Sequence, residues 1–312
     1  MLELRRLRLL HELALRGTIA EVATALAYSP STVSQQLAIL EREAGVALLE
    51  PDGRRVRLTA QGRLLARHAA RALELDEAAR AELSQSQAAA MPVRMAVMAT
   101  AAQALVPKAL SWLSRRLPTL RVEMAEMPPE EGLFELQARA FDVVVAEQYP
   151  GQTRQLQDGI DRVVLGTDPI RLVVPLGDRS TALTDLRDRA WVLEPKGAAV
   201  RHWAVQQCRA AGFEPDVQFE ATDLTAHARL VSAGHAVAML PDLVWADNPS
   251  PVRLLDLPGF PVREIFAATR FASRDSSPVA AVVAALAAAL EDPLALDADR
   301  GATTTIRSSK MK

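Results

Sequence analysis

With 312 residues, the chain is long enough for two or three domains that each bury a core. An apolar fraction of 49% and a charged fraction of 24% exclude a wholly disordered polymer. A net charge of −2 excludes a protein held to nucleic acid by bulk positive charge, so any DNA contact must come from a local patch.

The N-terminus predicts no export signal. Arg5, Arg6 and Arg8 interrupt the apolar residues before a secretory core can form. The longest apolar run, Val279 to Leu290, spans 12 residues, is mostly alanine and is too short to cross a bilayer. The expectation is a cytoplasmic protein with no membrane partner. Cys208 is the only cysteine, which excludes a disulfide framework and a multi-cysteine metal cluster; it reads as a small buried hydrophobe.

Residues 1–58 read as short helices and one hairpin. Leu4, Leu7, Leu10, Leu13 and Ala14 recur at helical spacing before the stop at Gly17. A second helix starts at Thr18, where Thr18-Ile19-Ala20-Glu21 forms a capping box. Ser29-Pro30, an N-cap followed by proline, opens a third helix that ends at Gly45. The pair makes a helix-turn-helix. Val46–Leu49 and Arg55–Leu58 read as strands joined by a Pro51-Asp52-Gly53 turn, a wing beside the helices.

On the third helix, Val33, Leu37 and Leu40 share one face. Ser31, Gln35, Ala38 and Arg42 lie opposite, with Ser34 on the edge. Hydroxyls, a carboxamide and a methyl suit base edges in the major groove. Arg54 and Arg55 at the wing tip could neutralise a phosphate or enter the minor groove. Over 1–58, eight arginines face seven acidic residues, so position-specific contacts are expected rather than a broad basic footprint.

Residues 59–90 predict one long helix and a linker. An apolar stripe of Leu64, Leu65, Ala69, Ala72, Leu73, Leu75, Ala79 and Leu83 needs burial, and a dimer is the preferred partner. Residues 91–294 alternate strands and helices, the pattern of an α/β domain with two lobes. Strands are expected at 93–98, 120–124, 143–146, 170–174, 191–193, 217–220, 236–240 and 263–269. Residues 295–312, rich in threonine and serine, are expected to form a disordered tail.

The segment from Thr18 through Ser29-Pro-Ser-Thr-Val-Ser-Gln-Gln-Leu, Gly53-Arg-Arg-Val-Arg-Leu and Thr59-Ala-Gln-Gly62 resembles the LysR-type transcriptional regulators. Looser resemblances continue in Leu120-Arg-Val-Glu, Phe141-Asp-Val-Val-Val and Ser232 to Pro241. The resemblance implies an N-terminal winged helix-turn-helix, a long linker helix and an α/β effector domain of two Rossmann-like, periplasmic-binding-protein-like lobes. It places DNA contacts on Ser29, Pro30, Ser31, Ser34, Gln35, Arg54 and Arg55. It further implies operator DNA as partner, a homodimer through the 59–87 helix that often pairs into a tetramer, and control by a small-molecule effector. Pro30, Gln35 and Pro51 depart from residues common in the family.

For the effector, ligands of two-lobed α/β sensors bind beyond strand C-termini. Thr100 follows the first strand of the domain and could offer a hydroxyl to an anionic ligand, with the amides of Ala101 and Ala102 behind it. Lys196 and Thr222 follow strands of the second lobe, and Lys196 could pair with a carboxylate. The expected cleft lining is otherwise small or apolar, which argues against a multiply charged ligand. No metal, cofactor or catalytic residue is expected: the histidines lack ligand spacing, and no nucleophile elbow, zinc helix or P-loop occurs. The competing classes are a cytoplasmic small-molecule-binding protein and an enzyme fused to a DNA-binding module.

Overall fold

Helical spacing of leucines produces α1 (Leu4–Arg16), which buries Leu7, Leu10 and Leu13 and ends at Gly17 in the left-handed region. The computed structural model describes residues 1–53, 55–84, 92–152, 159–246 and 251–291, in two units, Met1–Ala88 and Ala89–Lys312. The expected tail at 295–312 and Arg54 lie outside the described residues.

In the first unit, α2 (Ile19–Ala25) is capped by Thr18, whose hydroxyl accepts the Glu21 amide at 3.2 Å and donates to the Glu21 carboxylate at 2.9 Å. Ser29 caps α3 (Pro30–Ala44) by accepting the Thr32 amide at 3.1 Å, and Pro30 sits in the first turn, where no amide is needed. Val33, Leu37 and Leu40 pack with Leu10 and Val22 in one core, each leucine contributing roughly 1.5–3 kcal/mol by burial. Arg6 ties α1 to α3, donating to Gln36 at 3.1 Å and Glu43 at 2.7 Å.

The wing differs from the sequence expectation. Its strands are β1 (Leu49–Asp52) and β2 (Arg55–Leu58), with Pro51 opposite Val56 and Asp52 opposite Arg55. Pro51 and Asp52 are therefore strand residues, and the chain turns after Asp52, at Gly53, which takes φ 60°. The cause lies in Glu41, whose Oε1 accepts the amides of Leu48 and Leu49 at 2.8 and 2.9 Å. Those amides face α3 rather than a strand partner, which delays β1. A two-stranded ribbon has open edges, so the missing N–H of Pro51 is tolerated.

Thr59 starts α4 (Ala60–Ser84): its hydroxyl accepts the Gly62 amide at 3.0 Å and donates to the Ala47 carbonyl at 2.8 Å. A Cβ at Gly62 would lie 2.1 Å from the Leu48 carbonyl oxygen, so this close approach admits only glycine. The expected single stripe on α4 divides in two. Ala66 and Ala69 are buried in the unit's core and Leu73 is buried, whereas Leu64, Leu75 and Leu83 are exposed.

The second unit is built on β3 (Val93–Val97), α5 (Ala99–Ala104), α6 (Val106–Arg116), β4 (Val122–Glu126), α7 (Pro129–Gln137) and β5 (Val143–Gln148). The chain continues through β6 (Ile160–Pro175), β7 (Ala190–Leu193), α8 (Ala199–Ala210), β8 (Asp216–Glu220) and α9 (Leu224–Ser232). It closes with β9 (Ala238–Pro241), a 3₁₀ turn (Asp242–Trp245), β10 (Val252–Asp256), β11 (Val262–Arg270) and α10 (Ser277–Glu291). The main sheet has the order β10-β6-β11-β5-β3-β4, with β9 also on β6; β7 and β8 form a separate parallel pair.

Side chains alternate across each strand. Val143 and Val145 pack on α6 and α10, while Val144 and Ala146 pack on the α7 side. Ile170, Leu172 and Val174 join Trp191 and Trp203 in one core of the second lobe, and Val173 faces Val231 and Leu240 in the other. The 16-residue β6 belongs to both lobes: its first part pairs with β11, and Ile170 onward pairs with β9 and β10. The apolar run Val279–Leu290 is the buried body of α10, and no helix among the described residues is long and apolar enough to cross a membrane.

Candidate DNA-reading surface and effector cleft

Burial of Val33, Leu37 and Leu40 turns the other side of α3 outward. Ser29, Pro30, Ser31, Ser34, Gln35, Ala38 and Arg42 are all exposed there. Ser29 Oγ, at 2.8 Å from both Ser31 Oγ and Thr32 Oγ1, fixes the first turn. On the wing, Arg55 is exposed and makes no ion pair among the described residues, whereas Arg57 is held by Glu50 at 2.9 Å. Arg42 of α3 and Arg55 of the wing thus keep cations without an ion-pair partner among the described residues, suited to DNA phosphates.

In the second unit a cleft of about 1040 Å³ opens between the lobes, within the range of small-molecule sites. Thr100 and Thr222 line it; Ala101, Ala102 and Lys196 do not. Ala101 is fully buried in the first lobe's core, Ala102 packs against that core, and Lys196 is exposed outside the lining. The helical stretch after β3 is broken at Leu105 into α5 and α6, and Thr100 lies in the second position of the short α5.

At the base of the cleft sits Arg263, a buried arginine in the second position of β11. Its Nε and Nη2 donate to Asp168 Oδ2 at 2.9 and 2.8 Å, and Nη2 also donates to Thr100 Oγ1 at 2.8 Å. Nη1 approaches Glu147 Oε2 at 3.5 Å. The second oxygen of Asp168 accepts the Leu243 amide at 3.1 Å, from the turn that follows β9 in the other lobe. Burial of two opposite charges is tolerated because nearly every donor and lone pair has a partner. Tyr149, one residue past β5, is buried against Trp203 with ring centroids 5.6 Å apart, and burial raises its phenol above the usual value.

The rest of the polar lining is acidic. Among the described residues, Glu126, Glu130, Glu147, Glu194 and Asp223 face the cleft, and Arg263 is the one cation in its lining. This differs from the small, apolar lining expected from sequence. Asp223 is already engaged as the cap of α9, accepting the Thr225 amide at 2.8 Å. Glu194 follows β7, and burial, reinforced by the nearby Glu147 charge, pushes its carboxyl up to about 7. The signal for these residues was positional: Glu126 ends β4, Glu147 is next to last in β5, and Glu194 directly follows β7, all at strand C-termini. Among the described residues, no group of three or more histidine, cysteine or acidic side chains is arranged to hold a metal.

Comparison with known proteins bears on both surfaces. Residues 4–63 match the bacterial regulatory helix-turn-helix proteins of the lysR family, and residues 86–291 match the LysR substrate binding domain. The chain is 29% identical over 253 residues to the transcriptional dual regulator GltC of Bacillus subtilis, covering 79% of this chain and 83% of that protein. It is 30% identical over 233 residues to a probable hydrogen peroxide-inducible genes activator of Mycobacterium leprae, covering 72% of this chain and 73% of the relative. A full-length OxyR variant of Pseudomonas aeruginosa superposes with a TM-score of 0.67 at 22% identity, over 93% of this chain and 95% of that one, and shares its fold. Helix-turn-helix, long α4 and two-lobed α/β unit, matched along nearly the whole described chain, place this protein in the LysR family: it is a DNA-binding transcriptional regulator, not an enzyme, and it responds to a small-molecule effector.

Proposed function

We propose that this regulator reads its operator with Ser29, Pro30, Ser31, Ser34 and Gln35 of α3, backed by Arg54 and Arg55 of the wing, in the cytoplasm where the genome lies. The observation that carries this reading is the one-sided α3: three apolar residues buried, and hydroxyls, a carboxamide and an unpaired arginine exposed opposite them. Residues 1–58 act as the DNA-binding domain, 59–90 as the linker and 91–294 as the effector domain. The outward Leu64, Leu75 and Leu83 of α4 are the surface through which two copies associate, matching a two-fold operator. A mobility-shift titration of the full chain on upstream DNA of its neighbouring genes tests the reading; a shift no tighter than on random DNA would overturn it.

The effector occupies the inter-lobe cleft, between Thr100 and Glu147 on one side and Glu194 and Thr222 on the other. Thr100 accepts from Arg263, and its own hydroxyl proton remains to donate to a ligand. The Mycobacterium leprae relative is named for hydrogen peroxide-inducible genes, and the one thiol of this chain, Cys208, is not built to react with peroxide. Cys208 is buried within α8, and burial pushes its thiol up to about 12, so the reactive thiolate is scarce at neutral pH. Cys208→Ala is expected to leave the regulator's response intact.

A further inference from the structure

The first half of α4 carries three arginines and no acidic residue between positions 60 and 73. Arg63, Arg67 and Arg71 recur at every fourth position, all exposed, on a face turned away from the buried Ala66 and Ala69. Four residues rise about 6 Å, so the row extends roughly 12 Å along the helix. Like charges at this spacing repel one another. The helix dipole adds to the cost, because its N-terminal end favours acidic side chains and the first turn of α4 has none.

Two observations name the anion that balances the row. The row starts at the wing: Arg63 Nη1 donates to the Leu58 carbonyl at 2.7 Å, at the end of β2, the strand that opens with the exposed Arg55. Arg67 and Arg71 continue it with no ion-pair partner among the described residues. The acidic residues that follow on α4 are, in turn, partly engaged. Asp76 is held by Arg80 at 2.8 Å, and Glu77 has a partner of its own. A second copy of the helix thus offers only Glu74 and Glu82 to three arginines. Duplex DNA carries one phosphate charge for about every 1.7 Å of its length, enough to meet each guanidinium of the row.

We infer that α4 is a second DNA-contacting element of this regulator, in which Arg67 and Arg71 pair with backbone phosphates beside the segment read by α3 and the wing. The inference rests on the reading of α3 and the wing as the operator surface, and extends that surface to the helix through which two copies associate. Such contacts touch no base edge, so they strengthen binding to every sequence and weaken as salt is added. Arg63, which gives one nitrogen to the Leu58 carbonyl, keeps its other donors at the start of the row.

The test is fluorescence anisotropy of the full chain, across a salt series, on a duplex of random sequence and on upstream DNA of the neighbouring genes. Arg67→Gln combined with Arg71→Gln should make the slope of log affinity against log salt shallower by about 2 for each DNA-bound chain, equally on both DNAs. Arg67→Lys combined with Arg71→Lys should keep the slope, since lysine also neutralises a phosphate. Arg80→Gln removes another exposed charge of α4, one that is paired with Asp76, and should leave the slope unchanged. All three variants change exposed side chains and should keep the wild-type melt. An unchanged slope in the double glutamine variant, or an equal change in Arg80→Gln, would overturn the inference. So would a double glutamine variant that loses self-association in analytical ultracentrifugation, which would assign the row to a second copy of the chain. A wild-type chain that binds upstream DNA no more tightly than random DNA would instead strike the α3 reading, while the slope still judges α4.

Discussion

Asp168 and Arg263 face one another across β6 and β11 at the register position next to Pro169, where β6 passes from one lobe to the other. The pair is buried on both sides, and through Thr100 and the Leu243 amide it fastens the base of the cleft to elements of both lobes. A substitution that removes one partner leaves the other charge stranded. Asp168→Ala should lose about 3–5 kcal/mol in urea denaturation, and the double variant Asp168→Ala with Arg263→Met should recover part of that loss. A single-variant loss below about 1 kcal/mol, the size of an exposed pair, would contradict this role.

Base reading by α3 is separable from phosphate attraction. Gln35→Ala should weaken operator binding by roughly 1–3 kcal/mol and leave binding to random DNA nearly unchanged, whereas Arg55→Ala should weaken both. Fluorescence anisotropy on the two DNAs measures the difference. Equal losses for Gln35→Ala on both would show that it does not read bases.

The two stripes of α4 give different outcomes for the same chemistry. Leu75 is 73% exposed, so Leu75→Asp should lower the association of two chains in analytical ultracentrifugation while each stays folded. Leu73 is 7% exposed, so Leu73→Asp buries a charge and should lower the melting temperature instead. Identical behaviour of the two variants would contradict the division.

Glu194 makes stability depend on pH. Its carboxyl is raised from 4.5 to about 7, so between those values the folded chain holds a proton that the unfolded chain releases. Stability should therefore fall as pH rises through that window, by on the order of 1–3 kcal/mol given partial exposure to solvent. Glu194→Gln should flatten the profile of denaturation midpoint against pH; an unchanged profile would show that another group is responsible.

The helix-turn-helix was legible because its signals are local. Thr18 with Glu21, Ser29 with Pro30, and the spacing of Val33, Leu37 and Leu40 act within a few residues of one another. The wing register was misread because Pro51-Asp52-Gly53 has turn chemistry, while the deciding contact, Glu41 to the Leu48 and Leu49 amides, spans 7 and 8 residues. The first part of β6 was missed for a related reason: Gly166-Thr167-Asp168-Pro169 reads as a break, yet these residues pair with β11 and Asp168 is satisfied 95 residues away by Arg263. The acidity of the cleft was hidden in the same way. Glu126, Glu147 and Glu194 are ordinary polar residues until the parallel strands bring their C-terminal ends together.

The central claim, that a small molecule in the inter-lobe cleft controls what α3 does at the operator, is tested most directly by transcription in vitro from a promoter carrying that operator. Transcript yield is measured with the wild-type chain and with Thr222→Trp, which fills the cleft from its lining, each with and without a small molecule that binds the wild-type chain. The account predicts that the small molecule changes yield with the wild type and fails to do so with Thr222→Trp, which still occupies the operator in a footprint. A small molecule that changes yield equally with both chains, or that binds the wild type without changing yield, would contradict it.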